Sequence, residues 1–445
     1  LGVGFAQVPH KLVGHIMQVT ESNLEFEVVV VGGGPAGLGA ACAAAECGRR
    51  VALVDDTPWL GGQIWRGQKG RPRQALQWLE RFQHCGATLL DRTSVIAAPR
   101  PGLLMAECDA ETREIRYANL ILATGARELF LPFPGWTLPG IMGPGGMQSL
   151  VKNGWPAQGR RVVVAGSGPL LLAVAGGLRK YGANVACIAE QAPWPRVIGF
   201  GLGLLAHPSK LWQGAQIKSR LLGVPYRCGV WPVRAEGSTQ VRSVTLTNGQ
   251  TTWTEECDLL ACAFGLVPNV ELPLAAGCEL QDGFVRVDQW QAAGAKGIYC
   301  AGEPTGVGGA DCALVEGQIA GYAAGNQPAR AQALFARRAS WHKFRAALAG
   351  AFALRPDLKT LAAEDTLLCR CEDIPLGRVR QHASWRDAKL QTRCGMGPCQ
   401  GRVCGAAAKV LLGWGMESVR PPVLPARVRS LILKTKNSQL HSPDN

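Results

Sequence analysis

The sequence predicts an α/β protein made of two dinucleotide-binding units, followed by a small helical, cysteine-bearing domain. Three observations predict it. A glycine turn between a strand pattern and a helix pattern occurs at residues 28–37, and a second occurs at 160–171. Five of the 16 cysteines then crowd into residues 369–404. At 445 residues the chain is long enough for about three domains. A hydrophobic content of 47% with 56 glycines and few aromatics is that of a Gly-rich α/β protein.

In the first unit, four consecutive valines, Val28 to Val31, suit a parallel strand buried on both faces. Gly32, Gly34 and Gly37 hold the G-x-G-x-x-G spacing. Gly32 permits the sharp bend, Gly34 lets the backbone approach a pyrophosphate, and Gly37 lets helix and strand pack closely. The helix opened by Pro35 and Ala36 presents unpaired N–H groups and a positive dipole end to phosphates. Asp55, with Asp56 beside it, closes a second strand eighteen residues past Gly37, where a carboxylate can accept hydrogen bonds from a ribose diol. Strand, turn, helix and acid together make a dinucleotide site.

Gly61 and Gly62, followed by Gln63, suit a backbone that passes close to a flat, bulky ligand. With no cysteine in residues 58–65, a dithiol working beside that ligand is excluded there. Residues 71–86 have helical spacing, and 87–98 and 103–107 read as short strands. A buried strand over 120–126 ends in Ala123, Thr124 and Gly125, a turn that leads out of the first unit. A rigid Pro/Gly connector covers 132–142, with a short helix near 147–153.

The second unit keeps Gly166 and Gly168 but has Leu171 in place of the third glycine, and Glu190 stands one position later than Asp55 does. Its fold is predicted; binding of NAD(P) is left open. Residues 215–264 hold alternating stretches, and 284–288 and 297–303 read as strands. The last ends in Gly302 and Glu303, ahead of a helix over 310–324, and can bring further backbone donors and a carboxylate to the ribityl chain and pyrophosphate of an FAD. The first domain is therefore split. The expected division is an extension at 1–26, an FAD domain at 27–155 and 266–330, and an NAD(P)-binding-like domain at 156–265. An amphipathic helical linker at 331–364, a cluster domain at 365–415 and a tail at 416–445 complete it. Leu334, Phe335, Trp341, Phe344 and Leu348 lie near one face of the linker. Residues 1–16 are expected to fray.

Cys369 and Cys371, two apart in an extended stretch, point to one side and can hold one metal atom together. Gly395 and Gly397 let the next segment turn sharply, and Pro398 fits a helix entrance, with Cys399 before and Cys404 inside the first turn. Zinc favours C-x2–4-C pairs, so C-x-C with C-x4-C points to a [2Fe–2S] cluster. Its roughly −2 charge with four thiolates would be offset by a helix N-terminus and by Arg370, Arg393 and Arg402. Spacing does not choose four ligands among five, because Cys394 to Cys399 repeats the spacing of Cys399 to Cys404. The other eleven cysteines, such as Cys42, Cys187 and Cys262, read as small core residues.

The net charge of +14 reads as an Arg-rich solvated surface, with an acidic partner or anionic membrane face as the sharper alternative. No basic run interleaved with aromatics supports nucleic acid. No apolar run has the length of a membrane span. The first 26 residues lack the apolar core and cleavage site of a signal peptide. Sixteen thiols without such a signal argue for a reducing, cytoplasmic setting.

At these residues the chain resembles the FAD-containing alpha (A) subunits of bacterial multi-subunit amino-acid and amine dehydrogenases. That group includes the hydroxyproline and proline dehydrogenases, the opine oxidases and hydrogen cyanide synthase. The likeness spans about residues 25–425 and rests most on the 132–142 connector and the Gly-Met-Gly-Pro-Cys-Gln-Gly-Arg run at 395–402. The resemblance implies a glutathione-reductase-like fold with a domain similar to bacterioferritin-associated ferredoxin. It implies a [2Fe–2S] cluster held by Cys369, Cys371, Cys399 and Cys404, with Cys394 left out. It further implies that substrate is oxidised on a D-amino-acid-oxidase-like flavoprotein partner, alongside a small ferredoxin-like subunit. Electrons would pass through FAD and cluster to an acceptor such as a quinone, in a complex that can lie against the inner membrane. None of the seven histidines lies in a motif, so no acid/base catalyst presents itself. The alternatives are a self-contained NAD(P)H-dependent reductase, a component of hydrogen cyanide synthase, and an assembly protein with vestigial cofactors.

Overall fold

The computed structural model describes residues 24–65, 71–109, 111–415 and 419–431. The segment expected to fray, 1–16, lies outside them. β1 (Leu24–Val31) runs parallel to β2 (Val51–Val54), with α1 (Pro35–Ala45) crossing between them. Val28 to Val31 are buried on both faces, as a run without alternation requires. α2 (Arg73–His84) leads to β3 (Thr88–Leu90) beside β2. β4 (Thr93–Arg100), β5 (Leu103–Cys108) and β6 (Glu111–Leu122) form an antiparallel meander, and β6 returns parallel to β1. The sheet order is β3-β2-β1-β6-β5-β4.

β7 (Ala126–Glu128) leaves this sheet, and the Pro/Gly connector leads to β8 (Ile141–Met142) and α3 (Pro144–Lys152). Met147 and Val151 of α3 pack in the core of the second unit. That unit is β9 (Arg161–Gly166), α4 (Leu170–Lys180) and β10 (Asn184–Glu190). A protruding pair of helices, α5 (Trp194–Gly203) and α6 (Pro208–Arg220), precedes β11 (Tyr226–Cys228). The alternation read over 215–264 therefore begins later: α6 runs to Arg220, and the meander is β12 (Trp231–Glu236), β13 (Ser243–Thr247) and β14 (Thr252–Glu256). β15 (Leu259–Ala263) completes the parallel sheet β11-β10-β9-β15-β8.

β16 (Leu266–Pro268) pairs with β7, so the two crossings between the units form one antiparallel link. After α7 (Glu271–Ala275), β17 (Leu280–Gln281) and β18 (Phe284–Val285) make a minimal hairpin. The strand expected over 284–288 is cut short because Asp288 accepts the amides of Trp290 and Ala292 and closes a turn. β19 (Ile298–Cys300) joins the first sheet beside β6, followed by α8 (Gly309–Ala324). α9 (Pro328–Gln332) and α10 (Phe335–Ala351) lead to β20 (Leu367–Cys369), β21 (Ile374–Pro375), α11 (Leu376–Arg380), α12 (Trp385–Thr392) and α13 (Cys404–Leu412). Beyond these, Val423 donates to Ile96 O on β4, and Ser430, in α14 (Val428–Leu431), bonds Glu107 on β5.

The first unit is held by α1 against α8. Gly39, Gly317 and Gly321 let the backbones touch: a Cβ on Gly317 would lie 2.0 Å from Ala36 O, and one on Gly321 2.3 Å from Ala40 O. Close packing of this kind has no room for a methyl group. Gly317→Ala is therefore expected to lower stability by roughly 1–3 kcal/mol. The exposed Gly350, with open space around it, should be neutral or gain about 0.5–1 kcal/mol on the same change. Urea midpoints of the two variants check this; equal midpoints would contradict the packing account.

Candidate functional site

The three fingerprint glycines have different jobs. Gly32 has φ +105°, and its Cβ would sit 2.2 Å from Ala123 O; a Cβ on Gly37 would sit 1.7 Å from Gly32 O. Both are required by the chain itself. Gly34 has φ −75°, and a Cβ there meets nothing nearer than Gly62 Cα at 3.9 Å. Its missing side chain leaves space above the turn. Gly34 is the N-cap of α1, Pro35 follows, and no side chain caps the first turn, so its amides and positive end are unclaimed by side chains. Gly61 N donates to Gly33 O at 2.8 Å, and Gly62 (φ +56°) packs on Gly34. Gly302 packs against Ala36 so closely that a Cβ would come within 2.8 Å of the alanine methyl. Three separate segments thus converge on the start of α1.

Thr124 Oγ1 donates to Asn269 O at 2.6 Å, Asn269 Nδ2 donates to Thr124 O at 2.8 Å, and Asn269 N donates to Gly125 O. These bonds lock the turn that abuts Gly32. Gln63 is exposed, as is Asp56 at the end of β2. Asp55, expected as a ribose acceptor, also holds its own turn. It is 9% exposed, Oδ2 accepts Gly33 N at 2.5 Å, and Oδ1 accepts Thr57 N at 2.8 Å and Thr57 Oγ1 at 2.5 Å. The second unit repeats the device: Glu190 Oε2 accepts Gly168 N at 2.7 Å and Oε1 accepts Ala192 N at 2.9 Å. Burial pushes Glu190 up to about 7 despite these amides. In each unit the acid clasps its own glycine turn.

Glu303 offers a direct test of whether a flavin fits. Its Oε1 accepts Gly309 N at 3.0 Å, but Oε2 is buried without a partner, and burial pushes the carboxyl up to about 7. An orphaned acceptor beside the open turn suits a ribityl hydroxyl, which would supply the missing donor. Sequence reading missed the support beneath it. Glu316, 1% exposed, accepts Gly302 N at 2.9 Å and Thr305 Oγ1 at 3.0 Å and lies 2.8 Å from His342 Nε2, with Arg345 at 3.5 Å. The one signal was a glutamate amid the small and apolar residues at the middle of α8.

The second glycine turn is met on one side by the chain's own linker, while a Cβ on Gly168 would meet nothing within 4 Å. Leu171 is buried in the core with Val162, Val164 and Val174. Ser167 Oγ donates to Phe352 O at 3.1 Å, and Gln191 Nε2 donates to Ser167 Oγ at 2.9 Å and Ala353 O at 3.2 Å. Arg355 N donates to Gln191 Oε1 at 3.1 Å, and the Arg355 guanidinium lies 3.6 Å from the centroid of the Trp231 ring. Open α/β sheets bind ligands outside the carboxyl ends of their strands. At the ends of β9 and β10 that place is held by this chain's own residues 352–355.

The five C-terminal cysteines come together, though not in the expected arrangement. Cys369, Cys394 and Cys404 are buried with their sulfurs within 4.8 Å of one another, whereas Cys371 is exposed and pairs with Cys399 at 3.9 Å. Cys371 is the more exposed of the C-x-C pair, because β20 ends at Cys369 and the chain turns at once, with Asp373 at φ +51°. The helix expected at Pro398 opens six residues later, at Cys404; Gln400 and Gly401 hold positive φ in the intervening turns. Donation from Cys394 and Cys404 pulls Cys369 well below the ordinary thiol range, and donation from Cys404 brings Cys399 to about 5. Cys371, Cys394 and Cys404 are pushed the other way, and it is the close packing of the sulfurs that suits the donor set of an iron–sulfur cluster. Trp136 Nε1 donates to Leu367 O at 2.7 Å and Arg127 Nε to Arg402 O at 3.0 Å, docking this region on the connector and the β7 link. A cleft of about 470 Å³ lies between Gln63, Ile141, Met142, Leu150 and Arg370.

A family model described as pyridine nucleotide-disulphide oxidoreductase matches residues 26–331. Hydrogen cyanide synthase subunit HcnB of Pseudomonas aeruginosa is 31% identical over 86% of this chain and 91% of its own. The A subunit of opine oxidase from Rhizobium meliloti is 30% identical over 93% and 88%. The crystal structure of L-proline dehydrogenase from P. horikoshii has the same fold, with a TM-score of 0.67 at 21% identity over 94% of this chain and 82% of that one. Among the described residues no helix is long and apolar enough to cross a membrane. The chain belongs to the pyridine nucleotide-disulphide oxidoreductase family, as an FAD-dependent oxidoreductase of the group that contains these relatives.

Proposed function

We propose that the chain is the electron-transfer subunit of an amino-acid dehydrogenase complex, of the proline/hydroxyproline or opine type. It takes electrons from a substrate-oxidising flavoprotein partner and delivers them to an acceptor such as a quinone. The observation that carries this reading is the linker laid on the second turn: residues 352–355 bond Ser167 and Gln191 at the carboxyl ends of β9 and β10, where a nicotinamide dinucleotide would lie. In this reading the electrons enter from another chain, and both relatives are by name subunits of larger enzymes. Membership of a hydrogen cyanide synthase is the second reading, favoured by the 31% identity to HcnB.

In this reading Gly32, Gly34, Pro35, Ala36 and Gly37 cradle the FAD pyrophosphate, with Gly61, Gly62 and Gln63 on its flank. Asp55 and Asp56 stand at the adenosine end; Ala123, Thr124 and Gly125 wall the turn, and Gly302 and Glu303 meet the ribityl chain. Cys369, Cys371, Cys399 and Cys404 hold a [2Fe–2S] cluster. The flavin supplies the exchange between paired and single electrons, and the cluster a one-electron relay. The protein's part is to seat them, hold Glu303 toward a hydroxyl donor and keep the cluster region docked through Trp136 and Arg127. The outward faces of α5 and α6, with Trp194, Ile198, Leu202 and Trp212 exposed and no acid from 191 to 235, suit contact with a partner or an anionic membrane.

Three measurements test this. Purified alone, the chain should be yellow-brown and oxidise no amino acid until its partner is added; turnover without a partner would refute the division of labour. Anaerobic mixing with NADH or NADPH should leave the flavin oxidised on the stopped-flow timescale, and rapid bleaching would instead favour a self-contained reductase. Gly34→Val should fold with an unchanged apoprotein melting temperature yet lose at least about tenfold in FAD affinity, since its side chain meets ligand space and not protein. Undiminished flavin content in that variant would place the cofactor elsewhere.

A further inference from the structure

Four thiolates complete a [2Fe–2S] cluster, two on each iron, and the fold supplies five. The surplus is not evenly distributed. Cys371, exposed, stands 3.9 Å from Cys399 at the surface, while Cys369, Cys394 and Cys404 form a mutually contacting trio that is 0–1% exposed. The buried side therefore offers three sulfurs for the places that remain.

Each member of the trio is fixed on its own support. Cys369 ends β20, and its sulfur accepts Gly395 N at 3.5 Å. Cys394 follows α12 directly after the left-handed Arg393 (φ +66°), and its amide donates to Thr392 Oγ1 at 3.1 Å. Cys404 is the first residue of α13. The Trp385 ring underlies the segment between the last two: Cβ atoms on Gly395, Gly401 and Gly405 would lie 2.7, 3.2 and 3.4 Å from it. With three backbones held and three sulfurs already within 4.8 Å, exchanging one thiolate for another needs only rotation about a Cα–Cβ bond.

We infer that Cys394 is a resident spare ligand: it takes the place of Cys404 when that thiolate is lost, whereas Cys371, at the surface, has no such substitute. This rests on the cluster reading above. The consequence is an asymmetric tolerance to substitution that the cysteine spacing alone does not contain.

The test is iron and acid-labile sulfide content, with the electron paramagnetic resonance spectrum after dithionite reduction, on the full chain carrying alanine in place of single cysteines. Alanine cannot itself ligate, and retained flavin and circular dichroism report folding. Cys394→Ala should keep about two irons per chain and the wild-type spectrum. Cys404→Ala should keep more than about half the iron with shifted g values, the mark of a changed ligand. The Cys394→Ala/Cys404→Ala double variant should fall by about tenfold or more, as should Cys371→Ala. Loss of iron from Cys404→Ala equal to that of the double variant would overturn the spare role, and so would loss of iron from Cys394→Ala alone. Wild-type protein reconstituted anaerobically and still free of iron would instead defeat the cluster reading itself.

Discussion

One buried carboxylate holds the two halves of the functional apparatus in place. Glu316, on α8, faces three directions at once: to Gly302 N and Thr305 Oγ1 in the loop after β19, to His342 and Arg345 on α10, and to Cys312 on its own helix at 3.6 Å. A carboxylate that is 1% exposed is tolerable only because its oxygens are filled by donors, two of them cationic or able to become so. Removing one partner of such a group costs about 3–5 kcal/mol, so these contacts are not free to come and go. Through them Gly302 and Glu303 are pressed against the first turn of α1, and α10 is tied to the first unit. Everything that α10 then delivers to the second unit follows from that tie.

What it delivers is a linker laid against the second turn. The two glycine units share a strand, a bend, a helix and a clasping acid, and both leave space at the third turn position; only the second has the chain's own linker bonded to its turn. In the first, Asp55 bonds Gly33; in the second, Glu190 bonds Gly168, one position further along the turn. The offset of one residue visible between the two motifs is thus a change in which amide the acid holds. Leu171 does not expel the helix: it is absorbed by the core around Val162 and Val174. The linker contact instead comes from Gln191, whose amide group is spent on the backbone of 352–355.

This division explains which features could be read before the fold was known. The roles of Gly32 and Gly37 are local: a bend and a helix crossing lie within six residues, and spacing reports them. The roles of Asp55, Gln191, His342 and Arg345 are not. Asp55 looks like a ribose acceptor by position, and its bonds to Gly33 and Thr57 show only at side-chain scale. Gln191 and residue 352 are about 160 positions apart, and no periodicity links them. The difference in burial between Cys369 and Cys371 was hidden for a related reason. The rule that i and i+2 share a face belongs to extended chain, and β20 runs out at the first of the two cysteines. Pro398 reads as a helix start because it fixes φ, but Gln400 and Gly401 in left-handed conformation defer the helix to Cys404.

The same stretch that lies on the second turn also determines where the thiols sit. After residues 352–355 have met Ser167 and Gln191, Leu354, Leu358 and Leu361 enter the core shared by Trp136, Trp231 and Phe264. The chain emerges at Leu367, whose carbonyl is held by Trp136 Nε1, two residues before Cys369. A linker free to leave the second turn would have to withdraw those leucines and break that bond, and the thiol cluster would move with it. Movement of the linker and a fixed position for the thiols are therefore opposed demands on one segment. The fold satisfies the second, placing Arg370, between the first two thiols, across a cleft from Gln63 of the flavin-side loop.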